Sequence, residues 1–138
     1  KLMDHKGIRG VSFGGFRAHF GWDMYPCDMS DLSGLVFNPV KSKTSDGPVF
    51  LKGTLNIDDE PCDTFIRLDG FTKGFVVVNG TNIGRYYNEV GHKKTLYVPA
   101  PFLKKGANEI IVFESDKTAS MKVEFCDTPD LGEVGEIE

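Results

Sequence analysis

Side chains with the chemistry of a sugar-binding site occur in two short stretches of this 138-residue sequence. Trp22 and Tyr25 lie in the first stretch, and Arg85, Tyr86 and Tyr87 lie in the second. Aromatic rings stack on the apolar C–H faces of sugars, while arginine donates hydrogen bonds to hydroxyl groups. The same residue types also build docking surfaces and ordinary packed edges, so the residues alone leave these three roles open.

Catalytic residues are not arranged in any recognisable motif. A glycosidase needs two carboxylates across its substrate, and a nucleophilic enzyme needs a base beside its nucleophile. The acidic run 58–60 has the groups for a carboxylate pair or a calcium site, but its position between two predicted strands favours a solvated turn. His5, His19 and His92 are scattered, without an H-E-x-x-H motif. We therefore predict no catalytic residue, no metal site and no cofactor in this chain.

Composition narrows the class of protein further. The net charge of −4 argues against a nucleic-acid partner, which would require a basic face. No apolar run approaches the roughly 20 residues of a membrane-spanning helix, so we predict no membrane contact. Cys27, Cys62 and Cys126 are far apart and form no C-x-x-C motif. We expect them to be reduced, buried core residues.

Alternating hydrophobicity predicts about eight strands. The pattern is clearest in residues 47–58, where Val49, Leu51, Leu55 and Ile57 share one face. Because no amphipathic helix interrupts the strands, the chain is predicted to be all-β, an antiparallel β-sandwich. The other strands are predicted within residues 17–26, 62–70, 93–99, 108–115 and 120–127, and on both sides of the turn in a hairpin over 70–88.

The segment 70–88 predicts a hairpin with a two-residue turn. Asn79-Gly80 is the preferred pair for a type I′ turn, because both positions need a positive φ. The turn explains these residues better than the glycosylation sequon that they form with Thr81. Gly84, inside the second strand, predicts a bulge or a close backbone approach that re-aims Arg85.

The two ends of the chain carry weaker patterns. Ala18, Phe20, Trp22 and Met24 alternate and predict a strand, followed by a long loop over 30–44. A single helical turn is predicted between the strands at 93–99 and 108–115. We interpret residues 1–138 as one domain cut from a longer polypeptide. Residues 1–10 are then a linker and 127–138 a flexible tail.

Several motifs between residues 47 and 115 resemble one known family. They include D-T-F, K-G, V-V-N-G, N-I-G-R-Y-Y, L-Y-V-P and V-F-E. The match is weaker upstream, at K-G-I-R-G and G-W-D-M-Y-P. The motif residues are Asp63-Thr64-Phe65, Phe71, Lys73-Gly74, Val76, Val78-Asn79-Gly80, Asn82 to Tyr87, Leu96 to Pro99, Leu103-Lys104, Gly106, Asn108 and Val112 to Glu114. On these motifs the chain resembles the C-terminal β-sandwich of family 35 β-galactosidases, a galactose-binding-like jelly roll.

The resemblance implies a non-catalytic accessory domain. Catalysis in the family belongs to an upstream barrel with two glutamates, in a retaining glycoside hydrolase, and no motif of that barrel occurs in this chain. The implied partner is the upstream catalytic domain of the same polypeptide, in the cytoplasm or at the cell surface. A carbohydrate-binding module for galactosides is the alternative. Phe71 and Tyr87 stand where the family often has Trp, which keeps the packing but weakens the case for a sugar contact that needs an indole.

The candidate residues for sugar binding or domain docking are therefore Trp22, Tyr25, Arg85, Tyr86 and Tyr87. We expect docking to be their main role, with Arg85 paired to Asp63 or Asp69 through a guanidinium–carboxylate contact.

Overall fold

The computed structural model describes residues 7–8, 10–25, 29–90 and 93–133. The chain forms two compact units, Lys1–Leu35 and Val36–Glu138. The predicted linker at 1–10 falls mostly outside the described residues, as do His5, Cys27 and His92. Among the described residues, no helix is long and apolar enough to cross a membrane.

The first unit contains one short hairpin. Strand β1, Val11–Phe13, pairs antiparallel with β2, Arg17–His19. The strand predicted over 17–26 is therefore wrong for residues 20–25, and residue 26 lies outside the described residues. Gly21 has a φ of 73°, which interrupts an extended chain. Phe20 is 90% exposed, so the alternating apolar residues do not pack against another part of the protein and do not stabilise a strand here.

The second unit is an antiparallel β-sandwich. One sheet has the strand order β3-β8-β5-β6 and the other has the order β7-β4-β9, which confirms the predicted fold class. The strands are β3 (Val49–Ile57), β4 (Thr64–Arg67), β5 (Lys73–Val78), β6 (Thr81–Tyr87), β7 (Thr95–Val98), β8 (Gly106–Glu114) and β9 (Glu124–Cys126). A 3₁₀-helix at Ala100–Phe102 is the predicted helical turn. The predicted loop over 30–44 is also confirmed, since its described residues contain no strand or helix.

The hydrophobic core lies between the two sheets. Alternate residues of each central strand point inward, as the period-two pattern of β3 predicts. Apolar burial of this kind is the main favourable contribution to folding. The buried core residues are Ile66, Leu68, Phe71, Val76, Val78, Tyr86, Val98, Leu103, Ile110 and Val112.

The β5–β6 hairpin has the predicted turn and the predicted bulge. Asn79 and Gly80 have φ values of 47° and 83°, the positive angles of a type I′ turn. Val76 pairs with Gly84 but Val77 pairs with Asn82, so Ile83 is the extra residue of a bulge.

Replacement of Gly80 tests the turn. Gly80→Val forces a β-branched residue to a positive φ, and we expect it to lower the free energy of unfolding by about 1–2 kcal/mol. Gly80→Asn is the matched control, because asparagine tolerates this region, and it should cost much less. Chemical denaturation of both variants measures the difference, and equal losses would contradict a type I′ turn.

Asp130 fastens the segment after β9 to the three-stranded sheet. Its carboxylate accepts a 2.9 Å hydrogen bond from Arg67, and its backbone carbonyl accepts bonds from Lys94 N–H and the Thr95 hydroxyl. The Gly132 N–H also donates to the Asp130 carboxylate. These bonds connect Asp130 and its neighbours to the three-stranded sheet, and the flexible tail over 127–138 stays a prediction.

Two of the cysteines lie in the described part of the chain, and both are free thiols. Cys126 is half-buried in β9, but Cys62 is exposed. The prediction of a buried thiol is therefore wrong for Cys62. The residue follows Pro61 in the segment before β4, where the chain has not yet entered the sheet.

Candidate functional site

A row of aromatic side chains crosses the four-stranded sheet on the face opposite the core. Phe50 pairs with Phe113, Phe113 with Phe75, and Phe75 with Arg85. The Phe50 and Phe113 ring centroids are 4.6 Å apart, and those of Phe75 and Phe113 are 5.1 Å apart. These spacings are favourable for aromatic pairs. We call Phe50, Phe113, Phe75 and Arg85 the outer row.

The end of the outer row at β6 carries positive charge and a further ring. Tyr87 pairs with Lys73 beside the row, is 44% exposed, and has the Lys73 ammonium 5.8 Å from its ring centroid. Lys73 also lies 3.9 Å from the Asp116 carboxylate. Arg85 is exposed, and within the described ranges its guanidinium makes no hydrogen bond or ion pair. A phenylalanine row therefore ends in a cation that is available to a ligand or partner.

The expected pairing of Arg85 with Asp63 or Asp69 is wrong. Both aspartates flank β4 in the opposite sheet, whereas Arg85 lies on the outer face of its own sheet. Asp63 instead accepts a 2.9 Å bond from the Ala100 N–H and a 2.7 Å bond from the Tyr97 hydroxyl. The hydrogen bond from the Ala100 N–H, and to a smaller extent the one from the Tyr97 hydroxyl, lower the pKa of Asp63.

Tyr86 points into the core, because strand residues alternate between faces. Its side chain is buried, with the Phe71 ring edge-on to it. Its hydroxyl donates to the Phe113 carbonyl at 2.9 Å and contacts Glu114 Oε2 at 3.2 Å. Tyr86 thus packs on the core face of the sheet, while Arg85 and Tyr87 lie on the opposite, outer face.

Tyr86 makes the stability of the domain sensitive to alkaline pH. Burial, and then the charge of Glu114, raise the pKa of Tyr86 above its ordinary value of about 10. Above that pH the unfolded chain releases the proton while the folded chain keeps it. The free energy of unfolding therefore falls as pH rises, by up to about 1.4 kcal/mol per pH unit. We expect urea titrations to show a shallower alkaline loss for Tyr86→Phe than for wild type. Tyr87→Phe, the matched control, should keep the wild-type slope; an unchanged slope in Tyr86→Phe would contradict this origin.

Trp22 and Tyr25 lie in the first unit, where both are exposed. The Trp22 indole N–H donates to the His19 carbonyl at 2.9 Å, and its ring meets the His19 ring edge-on. Tyr25 is 85% exposed. Within the second unit the structure therefore brings together only Arg85 and Tyr87 of the predicted site residues.

Two parts of the site were not anticipated from the sequence. The first is the set of phenylalanines in the outer row; Phe50, on the otherwise polar face of β3, was the signal that marks it. The second is Glu114, a fully buried carboxylate. Its oxygens accept bonds from the N–H groups of Thr72, Lys73 and Asp116 and from Tyr86. Glu114 belongs to the V-F-E motif, but the motif does not indicate that its carboxylate is buried or which groups it binds.

A cavity of about 310 Å³ opens beside the edge strand β3. Its lining is mostly apolar, with Leu51, Leu55 and Val112 on one side and Val123 and Phe125 on the other. Such a lining offers few hydrogen-bond partners to the hydroxyl groups of a sugar. In the part of the chain that the structure describes, no three His, Cys, Asp or Glu side chains form a metal site.

Comparison with known proteins identifies the family. Residues 48–108, which include most of the sandwich and the outer row apart from Phe113, match the family described as beta-galactosidase, galactose-binding domain. Residues 48–108 of this chain therefore belong to this family.

Three curated relatives show how the galactose-binding domain compares with longer proteins. Human beta-galactosidase-1-like protein 2 is 49% identical over 85 residues, which are 62% of this chain and 13% of the relative. Human beta-galactosidase-1-like protein 3 is 35% identical over 133 residues, 93% of this chain and 20% of the relative. Beta-galactosidase 17 of Arabidopsis thaliana is 35% identical over 130 residues, 82% of this chain and 19% of the relative. This chain thus spans a fifth or less of the length of these relatives.

Proposed function

We propose that this domain is a non-catalytic accessory module of a β-galactosidase. In this proposal its outer row docks on the rest of the same polypeptide and stabilises the part that hydrolyses terminal β-galactosides. The hydrolase itself, with a retaining mechanism, is assigned to the remainder of the parent chain. The observation that carries the proposal is the phenylalanine row that ends in Arg85, whose guanidinium has no partner among the described residues.

Residue chemistry supports docking. Aromatic residues and arginine are enriched in protein interfaces, and arginine and tyrosine dominate their energetic centres. Phe50, Phe75 and Phe113 are each half-buried. Their remaining exposed surface is apolar, and a docked partner would bury it. Arg85 adds a planar set of donors for a carboxylate or a backbone carbonyl. Trp22 and Tyr25, in the first unit, are exposed rings and remain docking candidates in their own right.

Galactoside binding is the second candidate function. The exposed ring of Tyr87 beside Arg85 favours it, because a ring and a hydrogen-bond donor are the two elements of sugar recognition. A shallow surface of this kind gives a dissociation constant of about 1 mM, or about −4 kcal/mol. Titration of the domain with galactose or lactose measures this affinity directly.

Variants of the full-length parent separate the two functions. We expect Arg85→Ala and Phe75→Ala to lower its melting temperature by several degrees and to leave the Michaelis constant unchanged. Lys105→Ala, an exposed lysine in the turn before β8, is the control and should change neither quantity. If the melting temperature holds while the Michaelis constant of Arg85→Ala rises about tenfold, Arg85 is a substrate contact and docking is refuted.

A further inference from the structure

The side chain of Asn79 joins three separate segments of the sandwich. Its amide nitrogen donates to the Phe102 carbonyl at 2.8 Å and to Asn108 Oδ1 at 2.8 Å. Its amide oxygen accepts a 2.9 Å bond from the Glu109 N–H, and its backbone N–H donates to the Glu109 carbonyl. The hairpin turn, the 3₁₀-helix and the start of β8 therefore meet at one amide. Because both amide hydrogens are used, a glycan on this nitrogen would remove one of the two bonds.

The same residue has a second, chemical property. In an Asn-Gly pair the glycine nitrogen can attack the asparagine side-chain carbonyl carbon, since glycine has no side chain to obstruct the approach. A bond forms between Gly80 N and Asn79 Cγ, and the side-chain nitrogen leaves as ammonia. The Gly80 amide proton passes to the solvent, and the departing NH₂ group takes up one proton from the solvent, so that one ammonia leaves and the proton count balances. Water then opens the cyclic imide to aspartate or isoaspartate.

We propose that Asn79 is a modification site controlled by folding: reactive toward deamidation in the unfolded chain and protected in the folded domain. The attack requires the Asn79 carbonyl carbon to rotate toward Gly80 N. Such a rotation would break the bonds to Phe102, Asn108 and Glu109, so these bonds oppose it. The buried Asn108 is itself fixed, because its amide oxygen accepts from Lys104 N–H and its nitrogen donates to the Lys104 carbonyl.

Deamidation also harms the site that it modifies. Aspartate at position 79 removes both donors and places a carboxylate oxygen against the Phe102 carbonyl and Asn108 Oδ1. An isoaspartate additionally lengthens the backbone inside a two-residue turn. A chain that is deamidated while unfolded therefore refolds to a less stable sandwich. The modified residue persists after refolding, so its presence indicates that the chain has been unfolded before.

The test follows the mass of the Asn79 peptide during incubation of the 138-residue chain at mildly alkaline pH. Digestion and mass spectrometry report conversion in native buffer and in concentrated urea. We expect native conversion to be at least about tenfold slower, the factor that corresponds to about 1.4 kcal/mol. Asn56 and Asn82, each followed by isoleucine, are internal references and should convert slowly in both conditions. Equal rates for Asn79 in the two conditions would overturn the proposal.

A second measurement examines the product. Asn79→Asp imitates deamidation, and Asn56→Asp makes the same chemical change on an exposed strand position. We expect Asn79→Asp to lower the melting temperature by about 5–10 °C and Asn56→Asp to change it little. Equal melting temperatures for the two variants would show that deamidation of Asn79 does not destabilise the folded domain.

Discussion

Gly74→Ala should prevent the sandwich from folding stably. A Cβ atom at position 74 would lie 1.7 Å from the Phe113 carbonyl oxygen and 2.8 Å from the Tyr86 hydroxyl. The first contact is with backbone of the adjacent strand β8, so relief requires separation of β5 from β8. We expect the free energy of unfolding to fall by more than about 4 kcal/mol, a large part of the stability of an ordinary domain.

Gly53→Ala is the matched control for this result. Gly53 lies in β3, and a Cβ atom there meets nothing within 4 Å. Alanine in a strand is better than glycine by about 0.5–1 kcal/mol, so this variant should be unchanged or slightly more stable. Circular dichroism and urea titration compare the two variants. A well-folded Gly74→Ala protein would show that β5 and β8 are not in the close contact described above.

Glu114→Ala should produce the second large loss. The carboxylate is fully buried and accepts three backbone N–H bonds, from Thr72, Lys73 and Asp116, at 2.7–3.2 Å. Alanine leaves these three backbone donors without their acceptor, whereas the Tyr86 hydroxyl keeps its bond to the Phe113 carbonyl. An unsatisfied buried donor costs about 1–3 kcal/mol, and water admitted to the gap recovers part of this, so we expect a loss of about 3–5 kcal/mol.

Two further substitutions locate the cause of the Glu114 effect. Glu114→Gln keeps the shape but turns an amide NH₂ toward a backbone N–H in either orientation, so it should still cost about 2 kcal/mol. Glu109→Gln, on the same strand, removes only an exposed ion pair with Lys52 and should cost no more than about 1 kcal/mol. If Glu114→Gln is as stable as Glu109→Gln, the buried hydrogen bonds are not the source of stability.

The fold was predictable where one local rule decides the structure. Period-two alternation identified β3, and the backbone demands of Asn79-Gly80 identified the hairpin turn. The same alternation failed after His19, because the sequence does not say whether an opposing surface exists, and here Phe20 is exposed. Alternating hydrophobicity thus predicts a strand correctly only where another part of the folded chain packs against its apolar face.

The candidate site was less predictable, because its geometry comes from strands distant in sequence. The bulge at Gly84 was foreseen, but the row from Phe50 through Phe113 and Phe75 to Arg85 depends on strand order. The sequence suggested Asp63 as a partner for Arg85 on chemical grounds. The structure places them in different sheets, and only the pairing of strands decides which face a side chain occupies.

The strand order also has a consequence for the time course of folding. The β5–β6 hairpin closes a two-residue turn, and hairpins of this kind form within about 1–10 μs. β3 must instead find β8, so that Val49 meets Glu114 across more than half of the described sandwich sequence. Pairings of such high contact order belong to domains that fold in milliseconds to seconds. We therefore expect the hairpin to form early and β3 to join the four-stranded sheet last.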